Sequence, residues 1–163
     1  MGPPRWAVEE GVATMDRGEL HDLIGCWWWN YDEGNFDVLA SLLSDDVHFT
    51  CRTDTGETEW EEFVRADVRG REPVMAWQVD HRINSPYPLR HNGTNVHVVD
   101  RAGERTAFSS YISVTHMVRG APAPLSSGIV HGAVIDEGSA LRISEMHVIL
   151  DTADSDVFSK VRG

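Results

Sequence analysis

Cysteines, basic residues and long apolar segments are scarce in this chain of 163 residues. The two cysteines, Cys26 in an apolar helix-like segment and Cys51 in a strand-like segment, do not form the pattern of a disulfide framework. No segment approaches the roughly 18 consecutive apolar residues that a membrane span requires. The N-terminal segment carries Pro3 and Pro4 and lacks the apolar stretch of a signal peptide. We therefore expect a cytoplasmic protein that does not enter a membrane.

The scarcity of basic residues argues against one class of partner. Fourteen Lys and Arg residues stand against 26 Asp and Glu, which gives a formal net charge of -12. Binding to a phosphate backbone needs basic side chains that replace its counterions, so we expect no nucleic-acid partner.

Several motifs that would indicate a cofactor are also missing. The eight histidines form no pair with the spacing of metal ligands, so we expect no metal site. The sequence has no phosphate-binding loop, no G-x-G-x-x-G turn and no G-x-S-x-G elbow. We expect neither a cofactor nor serine hydrolase chemistry.

The first half of the chain has helical patterns around one strand. Asp16 and Glu19 form a capping-box pattern before an apolar helix that ends at Gly34, and a shorter helix follows to about Ser44. Residues 47–52 alternate as in a half-buried strand, with His48 facing outward. A second capping-box pattern at 58–61 predicts a third helix that ends near residue 70. Three prolines between residues 73 and 90 predict an irregular lid or crossing segment.

The second half reads as antiparallel strands over residues 94–100, 105–118, 126–136 and 140–150, separated by turn-rich segments. Helices followed by a strand meander predict an α+β fold with about three helices packed on one face of a curved sheet. We expect one domain over residues 16–152, an N-terminal arm over 1–15 and a C-terminal tail over 153–163.

Four residues are candidates for chemistry. Tyr31 and Asp32 stand at the end of the aromatic first helix, where an apolar environment would tune a carboxylate for acid-base work. Asp32 could equally begin a solvated turn. His91 stands just before a predicted strand and His116 lies late in the next one, where each could equally be a satisfied core histidine.

The segments Tyr31-Asp32-Glu33-Gly34-Asn35-Phe36-Asp37, Ser44-Asp45-Asp46-Val47 and Arg90-His91-Asn92-Gly93-Thr94-Asn95-Val96 carry a family resemblance. The chain from about Gly18 to Leu150 resembles SnoaL-like proteins of the nuclear-transport-factor-2-like superfamily, which have α+β cone folds. Within that superfamily it is most similar to scytalone dehydratase and the bile-acid dehydratases.

The resemblance implies a site and an activity. Tyr31, Asp32, His91 and His116 occupy the positions of those dehydratases' catalytic residues, while Cys51 replaces a second active-site tyrosine. It implies a dehydratase, without a cofactor, that removes water from a small cyclic or aromatic β-hydroxy carbonyl compound. The apolar wall of the substrate site is predicted to comprise Trp27, Cys51, Ile112, Val114, Met146, Val148 and Leu150.

Other functions stay open at this point. The same superfamily contains isomerases, cyclases and epoxide hydrolases, as well as modules that bind a ligand without catalysis, and a fold does not fix a reaction. Its members usually associate through the outer sheet face, so the resemblance implies a homodimer or homotrimer.

Overall fold

The computed structural model describes residues 15–162, so that of the predicted N-terminal arm it includes only Met15, which is buried. Over this range the helices are α1 (Arg17–Glu33), α2 (Phe36–Ser41), α3 (Glu61–Val64), α4 (Arg71–Ile83) and α5 (Phe158–Val161). The strands are β1 (Leu43–Thr53), β2 (Ala66–Arg69), β3 (Leu89–Ala102), β4 (Arg105–Val118), β5 (Ala121–Asp136) and β6 (Leu141–Leu150).

The strands form one mixed sheet in the order β2-β1-β6-β5-β4-β3. Strands β1 and β6 run parallel, and every other neighbouring pair is antiparallel. Helices α1 and α4 pack against strands of this sheet and bury its inner face. The predicted α+β class is confirmed. No helix within residues 15–162 has the length and apolar character needed to cross a membrane.

Helix α1 begins and ends at the predicted signals. Asp16 and Glu19 form the capping box, with the Asp16 backbone N–H donating to the Glu19 carboxylate at 2.9 Å. Gly34 ends the helix in the left-handed region at φ 69°, which a residue without Cβ adopts at little cost. This stop places Tyr31 and Asp32 in the last turn, and both are buried.

Strand β1 has the predicted alternation. Val47, Phe49 and Cys51 point into the core, and His48 lies on the outer face, where its Nε2 is 2.7 Å from Asp67 Oδ1. This period-two pattern fixes which side chains can reach the space beneath the helices.

The predicted third helix is wrong in its extent. Only Glu61–Val64 is helical, and Ala66–Arg69 instead forms β2, which pairs with β1. The Glu61 carboxylate accepts hydrogen bonds from the backbone N–H and the hydroxyl of Thr53, at 3.2 and 2.5 Å. Glu61, which was expected to cap the start of a longer helix, is thus hydrogen-bonded to the end of β1. Residues Ala66–Arg69 then add the edge strand β2 to the sheet.

The predicted irregular segment is largely a helix. Helix α4 covers Arg71–Ile83, and Pro73 lies in its first turn, where the missing N–H would have had no partner inside the helix. Within the predicted irregular segment, residues 73–90, the chain is irregular only between residues 84 and 88. This correction matters because α4 brings His81 and Arg82 to the site.

Three strands begin earlier than predicted, the first being β1, which starts at Leu43 because α2 already ends at Ser41. Strand β3 starts at Leu89, so that His91 lies within it. Strand β5 starts at Ala121 and includes Pro122 and Pro124. Its pairing with β6 begins only at Gly128, so these prolines lie where one side of β5 is an edge and a missing N–H is tolerated.

Candidate active site

A cavity of about 330 Å³ lies between the helices and the inner face of the sheet. Most of its lining is aromatic or aliphatic, and within residues 15–162 no Lys, Arg, Asp or Glu lines it. The aromatic residues of the lining are Trp27, Trp28, Tyr31, Phe49, Trp60, Phe63 and Trp77. Such a wall suits an uncharged, flat ligand, because a buried charge would find no partner there.

Asp32 and His91 form a hydrogen-bonded pair at the edge of this cavity. The Asp32 carboxylate accepts hydrogen bonds from the His91 backbone N–H at 2.8 Å and from the ring Nδ1 at 2.5 Å. The two side chains are 6% and 11% exposed, so solvent screens the pair weakly. A carboxylate that accepts from Nδ1 holds the proton on that nitrogen and leaves Nε2 with a lone pair. No residue within 15–162 hydrogen-bonds to Nε2 of His91, which also lines the cavity.

Arg82 fixes the end of α1. Its guanidinium donates to the carbonyl oxygens of Tyr31 and Asp32 at 2.8–3.1 Å and to that of Pro86 at 3.1 Å. The last carbonyl groups of a helix lack partners within the helix, and a buried cation is well suited to them. Arg82 therefore holds the turn that carries Tyr31 and Asp32 against α4.

Trp28 fixes the plane of the His91 ring. The two rings are stacked with centroids 4.9 Å apart and an interplanar angle of 6°. The Trp28 indole lies directly on Gly93, where an added Cβ would come within 3.0 Å of it. The glycine thus permits the close approach of α1 to β3. A positive charge on His91 would be stabilised by the indole face as well as by Asp32.

Tyr31 has a partner that the sequence did not indicate. Its hydroxyl is 2.5 Å from Nδ1 of His81, and its ring meets that of His91 edge-on with centroids 5.1 Å apart. Burial raises the pKa of Tyr31 above its ordinary value, more than the nearby Ser85 and Arg82 lower it. Burial lowers the pKa of His81 to about 4, with the charges of His91 and Arg82 adding to the effect. At neutral pH the pair is therefore a phenol and a neutral imidazole.

The structure brings most of the predicted site residues to the cavity. Tyr31 and His91 line it, and Asp32 reaches it through His91. Six of the predicted wall residues also line it, namely Trp27, Cys51, Ile112, Val114, Val148 and Leu150. Burial raises the pKa of the Cys51 thiol to about 12, with the Glu61 charge adding to it, so that this side chain stays neutral.

Three predicted residues do not line the cavity, namely Asp32, which contacts it through His91, and Met146 and His116. Met146 is fully buried, but it lies deeper in the sheet, paired with Phe49 and Gly132. His116 is half-buried and paired with Leu89, beyond an irregularity in the β4–β5 pairing at Val114. The end of β4 carries it past the cavity.

The sequence interpretation missed His81, Arg82 and the aromatic side chains of Trp60, Phe63 and Trp77. All of them come from α3, α4 or the turn before α3, where the predicted elements were wrong. The helical spacing of Val74, Trp77 and Gln78, which face inward from α4, was the available signal. Within residues 15–162, no three His, Cys, Asp or Glu side chains are grouped to hold a metal ion.

The chain matches no protein-family model and no curated protein sequence. Its structure, however, is similar to many solved structures. A nuclear-transport-factor-2-like protein with a cystatin-like fold from Novosphingobium aromaticivorans has 17% identity and a TM-score of 0.67, covering 90% of this chain and 87% of its own. A provisionally assigned scytalone dehydratase from the same organism has 10% identity and a TM-score of 0.66, covering 86% of this chain and 87% of its own.

ActVI-ORFA from Streptomyces coelicolor is similar to the same extent, with 17% identity and a TM-score of 0.65, covering 82% of this chain and 95% of its own. The beta subunit of a benzoate 1,2-dioxygenase from Burkholderia mallei also matches, with 16% identity and a TM-score of 0.66, covering 85% of this chain and 93% of its own. At these identities the likeness concerns the fold alone. The chain has the α+β fold of the nuclear-transport-factor-2-like superfamily, as its resemblance to SnoaL-like proteins predicted.

Proposed function

We propose that this chain is a cofactor-independent dehydratase that removes water from an uncharged cyclic or aromatic β-hydroxy ketone. The observation that carries the proposal is the hydrogen bond of 2.5 Å between Asp32 and His91, at the wall of an aromatic cavity that no Lys, Arg, Asp or Glu of residues 15–162 lines. It leaves a basic nitrogen facing a ligand and places a carboxylate behind it. The scytalone dehydratase resemblance of the sequence and the fold shared with such proteins support the same reaction class.

The reaction follows from the groups present. His91 Nε2 removes the proton on the carbon next to the ketone, and the electron pair of that C–H bond forms the double bond as the C–O bond breaks. The imidazolium then returns the proton to the departing hydroxyl, which leaves as water. Asp32 and the face of Trp28 stabilise the positive charge that His91 carries in between. Tyr31 polarises the ketone oxygen, on which negative charge develops.

The proposed mechanism assigns no step to His116, although the sequence resemblance predicted it as a catalytic residue. One base that first accepts and then returns a proton is sufficient when the hydrogen and the hydroxyl leave from the same face of the ring. Formation of a homodimer or homotrimer through the outer sheet face stays a prediction from the resemblance. The proposed mechanism does not depend on it, because all of its residues come from one chain.

The test uses 3-hydroxy-1-tetralone, whose loss of water gives the fluorescent product 1-naphthol. We expect the protein to form 1-naphthol and expect Asp32→Asn to lower kcat by about 10²–10⁴-fold. The amide would offer an N–H where His91 donates, so the imidazole would take the other tautomer and lose its free lone pair. His97→Ala, on the exposed face of the same strand, is the matched control and should keep full activity.

Other outcomes separate the alternatives. In one such outcome, the wild-type protein exchanges the α-hydrogen of 1-tetralone with D₂O and Asp32→Asn abolishes this exchange, while 3-hydroxy-1-tetralone loses no water. That result would contradict dehydration and indicate an isomerase or cyclase reaction instead. Binding of 1-tetralone with no exchange and no product would leave a ligand-binding module and contradict the proposal.

A further inference from the structure

The pair formed by Tyr31 and His81 joins two helices across the cavity wall. Nδ1 of His81 on α4 is 2.5 Å from the Tyr31 hydroxyl on α1. The His81 ring is held between Trp77, with stacked centroids 4.6 Å apart, and Phe63, with centroids 4.5 Å apart. Ser85 donates to the His81 carbonyl at 2.6 Å and fixes the same turn. The orientation of the imidazole is thus set by its neighbours on both faces.

The other ring nitrogen decides where the single proton of the neutral imidazole lies. Nε2 of His81 is buried and has no hydrogen-bond partner among residues 15–162. If Nε2 carried the proton, a buried donor would lack an acceptor. If Nδ1 carries it, Nε2 keeps only an unmatched lone pair, and unmatched acceptors are the more common case in folded proteins. The free donor is then the Tyr31 hydroxyl, which lines the cavity beside Ser85 and is not enclosed as Nε2 is. The proton therefore belongs on Nδ1, which then donates to the Tyr31 oxygen.

This direction of donation changes what Tyr31 can do. A phenol that donated to His81 could only accept a hydrogen bond from a ligand. A phenol that accepts from His81 keeps its own proton for a ligand in the cavity, which Tyr31 lines. Accepting one hydrogen bond also polarises the O–H group and strengthens it as a donor.

We propose that His81 is a positioning residue which donates from Nδ1 to Tyr31 and so directs the phenol proton to the ketone oxygen of the substrate. This inference rests on the proposed function. The rings of Tyr31 and His91 meet edge-on at 5.1 Å. A ketone oxygen at Tyr31 thus places the carbon next to the carbonyl at His91, where the proton is removed. This placement favours substrates in which the C–H bond that loses its proton is on the carbon directly bonded to the carbonyl carbon.

The first test needs no ligand. Nitrogen-15 NMR of labelled protein at pH 7 should show His81 as the neutral tautomer with its proton on Nδ1, and His81→Phe identifies its signals. A proton on Nε2 would overturn the proposal whatever the activity of the protein.

The second test reads the carbonyl group directly with 1-tetralone labelled with carbon-13 at the ketone. On binding to the wild-type protein, the carbonyl signal should move downfield and the C=O stretching frequency should fall. His81→Phe keeps the stacked ring but removes the donor, so both changes should shrink, as in Tyr31→Phe. His81→Asn, whose amide can donate to the phenol, should restore part of the effect. His97→Ala should leave it unchanged.

Kinetics with 3-hydroxy-1-tetralone separate positioning from packing. We expect His81→Phe to lower kcat roughly tenfold, the worth of one hydrogen bond, with a smaller change in KM. In a Tyr31→Phe background the same substitution should have almost no further effect, because the two residues act as a unit. A full effect in that background, or unchanged carbonyl spectra in His81→Phe, would show that the ring only packs. Carbonyl shifts that depend on His81 without any 1-naphthol would refute dehydration and leave the positioning role intact.

Discussion

Acidification should destabilise the folded chain through His81 in a window that the structure defines. The pKa of this histidine falls from 6.5 in an unfolded chain to about 4 in the fold, first because of burial and then because of the charges of His91 and Arg82, partly offset by Asp80. Between these two values the unfolded chain binds a proton that the folded chain does not. The free energy of unfolding therefore declines as the pH falls from about 6.5 to about 4.

The size of the effect follows from the gap between the two pKa values. The titration of His81 lowers the free energy of unfolding by about 2 kcal/mol at pH 5 and by about 3 kcal/mol at pH 4, relative to neutral pH. Well above pH 6.5 the residue is neutral in both states and contributes no slope. For a marginally stable domain, such a loss is a sizeable share of the total.

Urea unfolding followed by tryptophan fluorescence at pH 7 and pH 5 measures this loss. His81→Phe removes the titration and keeps the stacking on Trp77, while Tyr31, His91, Arg82 and Asp80 stay in place. The variant should be less stable than the wild type at pH 7 by about 1 kcal/mol, because it lacks the bond to Tyr31. Between pH 7 and pH 5 it should lose about 2 kcal/mol less than the wild type. Equal losses in the two proteins would refute the assignment of His81 as a buried neutral imidazole.

Further predictions concern glycines and thiols. Gly132→Ala should lower the free energy of unfolding by about 1–3 kcal/mol or more, because its Cβ would lie 2.6 Å from the Glu145 carbonyl oxygen. Gly25→Ala should raise the free energy of unfolding by up to about 1 kcal/mol, because Gly25 lies in helix α1 and an added Cβ meets open space. Thermal unfolding of both variants checks this contrast, and equal effects would contradict the packing. The exposed Cys26 should react quickly with a disulfide reagent. Cys51 is buried and its pKa is near 12, so it should react only when the protein unfolds. Two fast thiols in the folded protein would disagree with this burial.

Local signals in the sequence were sufficient for much of the fold. The capping box at Asp16 and the glycine at position 34 act within one or two turns of chain, and the alternation of β1 reflects one buried face. For that reason α1 and β1 were predicted well, and with them Tyr31, Asp32 and Cys51. The pairing of Asp32 with His91 joins residues 59 positions apart, and no local pattern indicates it. Only the family resemblance pointed to it.

The failures share a physical cause. Thr58 and Pro73 were interpreted by their local preferences, but the tertiary structure uses Glu61 to close the end of β1 and tolerates Pro73 in the first turn of α4. Once α4 is treated as a loop, His81 has no defined direction and cannot be assigned a partner. Its contact with Tyr31 exists only because a helix carries it there.

The polar groups of the site depend on one another through the same two helices. Arg82 binds the carbonyl groups of Tyr31 and Asp32, and its neighbour His81 binds the Tyr31 hydroxyl, so that α4 sets both the backbone and the side chain of the last turn of α1. A displacement of α4 would therefore move the phenol and the carboxylate behind His91 together. In the proposed reaction both groups act on one ligand, so the packing of α4 on α1 would set the position of His91, the proposed base, relative to Tyr31, the proposed donor to the carbonyl oxygen. In the proposed reaction, with no charged side chain of residues 15–162 in the cavity lining, this contact rather than long-range electrostatics would determine which C–H bond of a bound ketone lies at His91.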